Sequence, residues 1–476
     1  MRIVEFLWFV LGTLLIPHVS GLKGVDQSPE QYSSNYNMRL SRRTGRKNFV
    51  PRGDRDTGDR RGGKPRSAPK PKPRKKRKHV ALPPITSRPT VPPTTSPPTA
   101  PPTTRSPTPS PISNPTNSTT VGVYYYPWHS NDFHGGKYLR ADLEPKQYPA
   151  LGEYDDRKAS VIAKHLEWSK YANINLWVSA WWGPGRRTDT TLKDYILPHD
   201  DLPDSGVKIA LLYETTGRID TNALNDTAVA TRRVYDDIDY VAKNYFDDDN
   251  YHRIDGRPVV LIYISRWLET YELLDEVVGL MRNASADNGH DVYIIGDQVW
   301  GNAPGDDYKP FEILDAVTNY DVYGNMNRKY YAAQDGVDSY HAKQVAWKNA
   351  AKRQNCGFIP SVTPGFNDAA VRDGHIPVSR KLSETSEFGT LFKANLANAL
   401  TILDDATGSM FLITSFNEWH EDTQIEPVED NVFQLDLNRT TNLPTNLTYG
   451  LEYQRYGTLY LQLLRDATSL PSRSIL

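Results

Sequence analysis

The chain has 476 residues, with 56 Lys and Arg against 57 Asp and Glu and a formal net charge of −1. That balance averages two opposed regions: residues 1–120 carry 22 of the basic residues and only 6 of the acidic ones, and the rest carries 34 and 51. Twenty of the 35 prolines also fall in the first 120 residues, so the chain is not uniformly globular, and about 356 residues remain to build a large core. The single cysteine, Cys356, excludes an intramolecular disulfide scaffold and is expected to be buried and inert.

Residues 1–22 contain the apolar run FLWFVLGTLLI (6–16), preceded by Arg2 and followed by Pro17, Ser20 and Gly21. This pattern fits a signal peptide, and a longer reading from Ile3 to Leu22 fits an uncleaved signal anchor; both send the chain into the secretory pathway. Residues 23–120 read as disordered. A basic run, KPKPRKKRKH (70–79), is followed over 81–120 by 13 Pro, 11 Thr and 6 Ser, the composition of an extended, O-glycosylated stalk. The basic run lacks stacking aromatics, so it reads as a solvated spacer and no nucleic acid partner is expected. Five N-x-S/T sequons, at Asn117, Asn225, Asn283, Asn438 and Asn446, agree with lumenal exposure.

From Val121 onward short apolar runs alternate with helical patterns, which places the folded domain at 121–476. The runs are 121–126, 173–178, 207–213, 258–264, 292–297, 319–323, 357–361 and 410–416. Amphipathic stretches at 156–170, 232–246, 267–283, 337–353 and 388–405 lie between most of them, and 450–470 reads as a closing helix after a loop at 429–449. Runs this continuous suit strands buried on both faces, and their alternation with helices predicts parallel βαβ units. Eight units predict an α/β fold, a (β/α)8 TIM barrel with extended loops; an open doubly wound sheet is the rival, without a G-x-G-x-x-G to support nucleotide binding.

In a barrel the chemistry sits at the C-terminal ends of the strands. Those ends carry Tyr125, Tyr126, Trp128 and His129; Trp181 and Trp182; Tyr213 and Glu214; Tyr263, Arg266 and Trp267; Asp297 and Trp300; and Asp321 and Tyr323. The last run leads into SFNEWHEDTQIEP (415–427), which places Glu418, His420, Glu421, Asp422 and Glu426 directly after a buried strand. Glu418 and Glu421, three apart, share a face of a helical turn, and carboxyls that close push their pKa values apart, the requirement for dividing acid from base roles. A solvated acidic helix start and a divalent metal site through His420, Glu418, Glu421 and Asp422 are the alternatives; no H-E-x-x-H or G-x-S-x-G occurs, and no cofactor is demanded.

These residues resemble glycoside hydrolase family 99, the endo-α-1,2-mannosidases and mannanases, over about 121–467. FNEWHEDTQIEP (416–427) is similar to the family's EWHEGTQIEP, PSVTPGFND (360–368) to its PSVGPGY with Arg372 following, and YYYPWH (124–129) to its strand-one YY-x-W; GRPVVLIYIS (256–265) and NYDVYG (319–324) match more loosely. The resemblance implies a retaining endo-glycosidase acting on α-mannosides of N-glycans or mannan through 2-OH participation and a 1,2-anhydro sugar. Glu418 then corresponds to the base for the 2-hydroxyl and Glu421 to the general acid/base. Tyr126, Trp128, Trp181, Trp182, Glu214, Tyr323 and His420 are expected to contact the sugar. The sequence departs from the family at Leu212, Thr215 and Thr216 in the strand-three segment, at Phe366 and at Asp422. The rivals are a non-catalytic glycan-binding barrel and a WbsX-like protein of polysaccharide biosynthesis. The expected partner is a mannose-containing oligosaccharide or N-glycan, with membrane contact only through an N-terminal anchor, in the Golgi lumen or outside the cell.

Overall fold

The computed structural model describes residues 119–130, 133, 137–326, 330–372, 374–429 and 445–469. The expected signal segment, basic spacer and almost all of the stalk lie outside these residues, as do the sequons at Asn117 and Asn438. Asn225, Asn283 and Asn446 are exposed.

Ten strands form one sheet: β1 (Thr120–Tyr125), β2 (Leu176–Trp181), β3 (Lys208–Tyr213), β4 (Arg253–Ile254), β5 (Arg257–Ile262), β6 (Tyr293–Asp297), β7 (Ala316–Thr318), β8 (Gly357–Phe358), β9 (Ser361–Val362) and β10 (Met410–Ile413). Nine of them follow the order β8-β7-β6-β5-β3-β2-β1-β10-β9 in parallel register, and β4 pairs antiparallel with β5. The fold is therefore α/β, a curled, open path of nine parallel strands with helices around it.

The seventh predicted strand is split. Gly357 and Ile359 donate to Asp315 and Val317 beside β7, whereas the carbonyls of Pro360 and Val362 accept from Leu412 and Thr414 beside β10. Pro360 has no N–H to give a ladder, so the segment serves one neighbour with each half. The sixth expected run, 319–323, is not a strand: β7 ends at Thr318 before it, and Asp321 accepts from the Gly324 N–H and starts a helical turn, Val322–Asn325. The segment predicted as 267–283 forms two helices, Ser265–Thr270 and Leu274–Asp287, and the closing helix covers Leu459–Thr468 only.

Strand residues alternate between two apolar layers. Tyr124, Leu176, Val178, Ala180, Ala210, Leu212, Leu261, Ile295 and Leu412 fill the inner face of the curl. Val123, Tyr125, Trp177, Trp181, Leu211, Tyr213 and Ile413 face outward, against helices such as Ala159–Tyr171 and Val234–Val241. Because every main strand is parallel, all C-terminal ends open on one side, and the connections after them carry the polar residues.

Candidate active site

The loop after β10 is closed on itself before it presents any chemistry. The Ser415 N–H donates to the Thr423 carbonyl at 2.9 Å, the Ser415 and Thr423 hydroxyls meet at 2.9 Å, and the Glu418 N–H donates to Ser415 Oγ at 2.9 Å. Trp419–Glu421 form a turn of 3-10 helix with Glu418 at its start. Glu418 and Glu421 stand close enough for the charge of one to raise the pKa of the other. Trp419 projects instead into the core, where its indole N–H donates to Glu426 at 2.7 Å; Glu426 also accepts from Tyr154 at 2.9 Å and meets His165 Nε2 at 3.2 Å. Glu426 is thus an anchor for the loop.

Asp422 has φ +48°, a left-handed conformation that Asp tolerates better than bulkier residues. Its buried carboxylate takes Arg140 at 2.5 Å and Arg380 at 3.3 Å. Burial alone would raise its pKa, but the two guanidinium groups outweigh it and hold the group below the ordinary range. This pairing explains how an acid occupies a position where glycine would be conformationally easiest.

The two glutamates differ in their partners. Glu418 is 3% exposed; its Oε1 accepts from the His420 N–H at 3.0 Å and lies 2.9 Å from His420 Nδ1. Burial pushes the Glu418 carboxyl up to about 8, against the opposing His420 N–H bond and the positive charge of Arg372. Burial and Arg372 push His420 down to about 4, so its imidazole is neutral near pH 7 and the contact is a hydrogen bond rather than an ion pair. Glu421 accepts from Arg372 at 2.9 Å and from the Tyr320 hydroxyl at 3.4 Å. Its pKa is raised by burial, with Arg372 pulling it back and Glu418 and Asp368 adding to the rise. Glu214, at the end of β3, is 4% exposed and is raised well above the ordinary range by burial and by Glu418 and Glu421. Three carboxyls sharing one dry region, with Arg372 as the nearby guanidinium among the described residues, cannot all ionise cheaply.

Aromatic groups surround these acids. The Tyr126 hydroxyl meets that of Tyr320 at 2.5 Å, Trp128 packs on Tyr126 with ring centroids 4.5 Å apart, and Trp128 lies edge-on to His420 at 5.9 Å. Tyr263 packs edge-to-face on Tyr320 at 5.1 Å. Tyr323 stacks flat on Phe366 at 3.5 Å, with the negative charges of Asp321 and Glu421 nearby. Trp182 lies over Gly217, where an added Cβ would come within 2.5 Å of the indole, and its indole N–H has no hydrogen-bond partner among the described residues.

The structure therefore brings Tyr126, Trp128, Glu214, Tyr323, Glu418, His420 and Glu421 around one region, with Trp182 on the adjoining β2–β3 edge. It does not bring Trp181 there. Trp181 is fully buried on the outer face of the sheet, donating to Asp189 at 3.0 Å and packing with Tyr213. Successive strand residues point to opposite faces, so Trp181 and Trp182 cannot both face the site. Tyr320 and Arg372 join the region although neither is among the expected sugar-contacting residues; Arg372 is noted in the sequence only as following the 360–368 segment. Tyr320 had an available signal, the same alternation that points it inward beside Tyr124, with ring centroids at 4.9 Å. Arg372 is recruited by its i,i+4 pair with Asp368 at 2.8 Å, which no local pattern distinguishes from a surface pair. Cys356 is buried, its thiol pushed up to about 12 by burial. Among the described residues no group of three His, Cys, Asp or Glu is placed to hold a metal ion, and no helix is long and apolar enough to cross a membrane.

Comparisons with known proteins bear on this arrangement. The sequence model for glycosyl hydrolase family 99 matches residues 117–442. A mouse glycoprotein endo-alpha-1,2-mannosidase-like protein is 26% identical over 343 residues, covering 68% of this chain and 65% of its own length. A rat glycoprotein endo-alpha-1,2-mannosidase is 24% identical over 392 residues, covering 72% of this chain and 73% of its own. Among solved structures, a GH99 endo-alpha-mannosidase from Bacteroides thetaiotaomicron is 21% identical with a TM-score of 0.47, covering 73% of this chain and 95% of that one.

Proposed function

This chain belongs to glycosyl hydrolase family 99, and we propose that it is a retaining, endo-acting glycosidase that cleaves internal α-1,2-mannosidic linkages in N-glycan-type or mannan substrates. The observation that carries this reading is the placing of Glu418 and Glu421 side by side in one buried region with unequal surroundings. Glu418 is a carboxylate whose conjugate acid lies near 8, hence a stronger base than an ordinary carboxylate once ionised. It takes the proton of the substrate's 2-hydroxyl, and the freed oxygen attacks the anomeric carbon as the glycosidic bond breaks. Glu421, whose carboxyl burial raises against the pull of Arg372, gives its proton to the leaving oxygen. The product is a 1,2-anhydro sugar. Glu421, now ionised, then takes a proton from water; the water oxygen opens the epoxide at the anomeric carbon, and Glu418 returns its proton to O2. Two inversions give net retention, and neither carboxylate bonds to the sugar, so the ordinary spacing rule for retaining enzymes does not constrain the pair.

The Tyr126–Tyr320 pair and Glu214 border the same region and fit contact with sugar hydroxyls, with Trp128 and Trp182 as apolar walls for its CH faces. Within this reading β8 and β9 are the two halves of one strand and the sheet is a closed eight-stranded barrel, supported by the two ladders that flank 357–362. The leader and the exposed sequons support a secretory-pathway protein, either a Golgi type II membrane protein or a secreted one.

The test is hydrolysis of a panel of α-mannose-containing oligosaccharides by the full chain, with the product anomer followed by NMR. Release of a disaccharide or larger unit with retained configuration is expected, reduced at least ~100-fold in Glu418→Gln and Glu421→Gln, the scale on which positioned acid–base groups act. Saturable binding of the same glycans without turnover would instead assign a glycan-binding barrel.

A further inference from the structure

Outside the groups already discussed, the largest exposed aromatic side chain among the described residues is Trp300, in the connection after β6 and 38% exposed. An exposed tryptophan on a mobile loop would carry little meaning, but this loop is pinned on both sides. The preceding Val299 is buried, and its carbonyl accepts from Asn319 at 3.0 Å and from Asn325 at 3.5 Å. The following Gly301 donates to Asn325 Oδ1 at 2.8 Å, and its carbonyl accepts from the Trp347 indole at 3.3 Å. The backbone is fixed and the indole is held in water.

Its neighbours face the site. The Arg266 guanidinium carbon lies 5.2 Å from the Trp300 ring centroid; Arg266 also donates to Asp297 at 2.7 Å and stands 4.0 Å from Asp321. Gly324 makes room for this arrangement, since a Cβ there would meet Trp300 Cη2 and Asp321 Oδ1 at 2.7 Å each. Two residues before Ser265, Tyr263 packs on Tyr320, whose hydroxyl touches Glu421. A continuous line therefore runs from Glu421, after β10, through Tyr320, after β7, and Tyr263 to Arg266, both after β5, and to Trp300, after β6. Trp128 and His420 lie with Glu418 on the β1–β10 side.

We propose that Trp300 and Arg266 form a sugar-binding shelf for the leaving fragment of the substrate, the part of the glycan that departs on the Glu421 side of the cleaved bond. This rests on the assignment of Glu421 as the acid that protonates the leaving oxygen. The indole stacks on the CH face of a pyranose ring, as aromatic rings bind sugars elsewhere. The Arg266 N–H groups, oriented by Asp297 and Asp321, are left to donate to its hydroxyls. The shelf selects what leaves and contributes nothing to the bond-breaking step.

The test compares two substrates with the same mannosyl donor unit, an oligosaccharide with at least two sugars in the leaving fragment and a glycosyl fluoride with none. Trp300→Ala is expected to lower kcat/KM for the oligosaccharide about tenfold, mainly through KM, the scale of one lost stacking contact. Trp300→Phe should recover most of it, and the fluoride should react at the wild-type rate in both variants. Equal losses on both substrates would mean that Trp300 only supports the Arg266–Asp297 pair, and no loss on either would mean that it touches no sugar; each result overturns the proposal. Should wild type hydrolyse neither, it is the hydrolase reading that has failed. Calorimetric titration with the same oligosaccharide then decides the shelf, which equal affinity of wild type and Trp300→Ala, or no binding at all, would overturn.

Discussion

Glu418 should make the protein less stable as the pH rises, and the size of the effect follows from its surroundings. Its carboxyl is raised from an ordinary 4.5 to about 8, first by burial. The folded state therefore holds a proton that the unfolded chain releases above 4.5, so stability falls through the window from 4.5 to 8 as the group is forced to ionise in place. Integrated over that window, the loss at pH 7 is about 3 kcal/mol, and between pH 5 and pH 8 it grows by roughly 3–4 kcal/mol, at 1.36 kcal/mol for each unit of pKa difference. Glu418→Gln keeps the shape of the protonated acid and the acceptor for the His420 N–H but never ionises. It should abolish turnover and yet stabilise the fold at neutral pH, by roughly 4–5 °C in Tm for a domain of this size. The assay is equilibrium urea denaturation of wild type and Glu418→Gln at pH 5 and pH 8, followed by tryptophan fluorescence. The gain in the variant should be small at pH 5 and several-fold larger at pH 8. A gain of the same size at both pH values, or a loss at pH 8, would refute the claim that Glu418 is a desolvated acid carrying a raised pKa. The same comparison shows stability given up at a site for the sake of chemistry.

Two further predictions test other parts of the site. Arg372→Met removes the guanidinium bonded to Glu421, so Glu421 should rise further and Glu418 more modestly. The bell-shaped pH profile of kcat/KM should then move to higher pH by about a unit or more, and a profile that only shrinks in height would count against the pairing. Trp181→Ala should destabilise the fold by about 3–5 kcal/mol, read by the same denaturation, as for other large aromatic side chains removed from a packed core. Its KM for the oligosaccharide should stay unchanged, and a raised KM would return Trp181 to the sugar-binding surface.

The apolar runs by themselves determined where the main strands lie and that they are buried on both faces, because continuous Val, Ile, Leu and Tyr segments have no half that could face water. They also pointed to the loop after the last strand as the candidate site, since four acids packed into 418–426 behind a buried run have few inert explanations. What they could not determine was which acids would be paid off locally. Glu426 becomes an anchor for Trp419 and His165, and Asp422 a partner for Arg140 and Arg380, through residues up to 282 positions away in the chain. Glu418 and Glu421 instead keep raised carboxyls in the buried region, the feature on which their proposed roles rest. The division between Trp181 and Trp182, the splitting of the strand at Pro360 and the recruitment of Tyr320 and Arg372 were likewise decided by tertiary structure. In each case the deciding quantity is the direction a side chain takes from a strand or turn whose register is set by its neighbours, and register is a property of the assembled sheet rather than of any one segment.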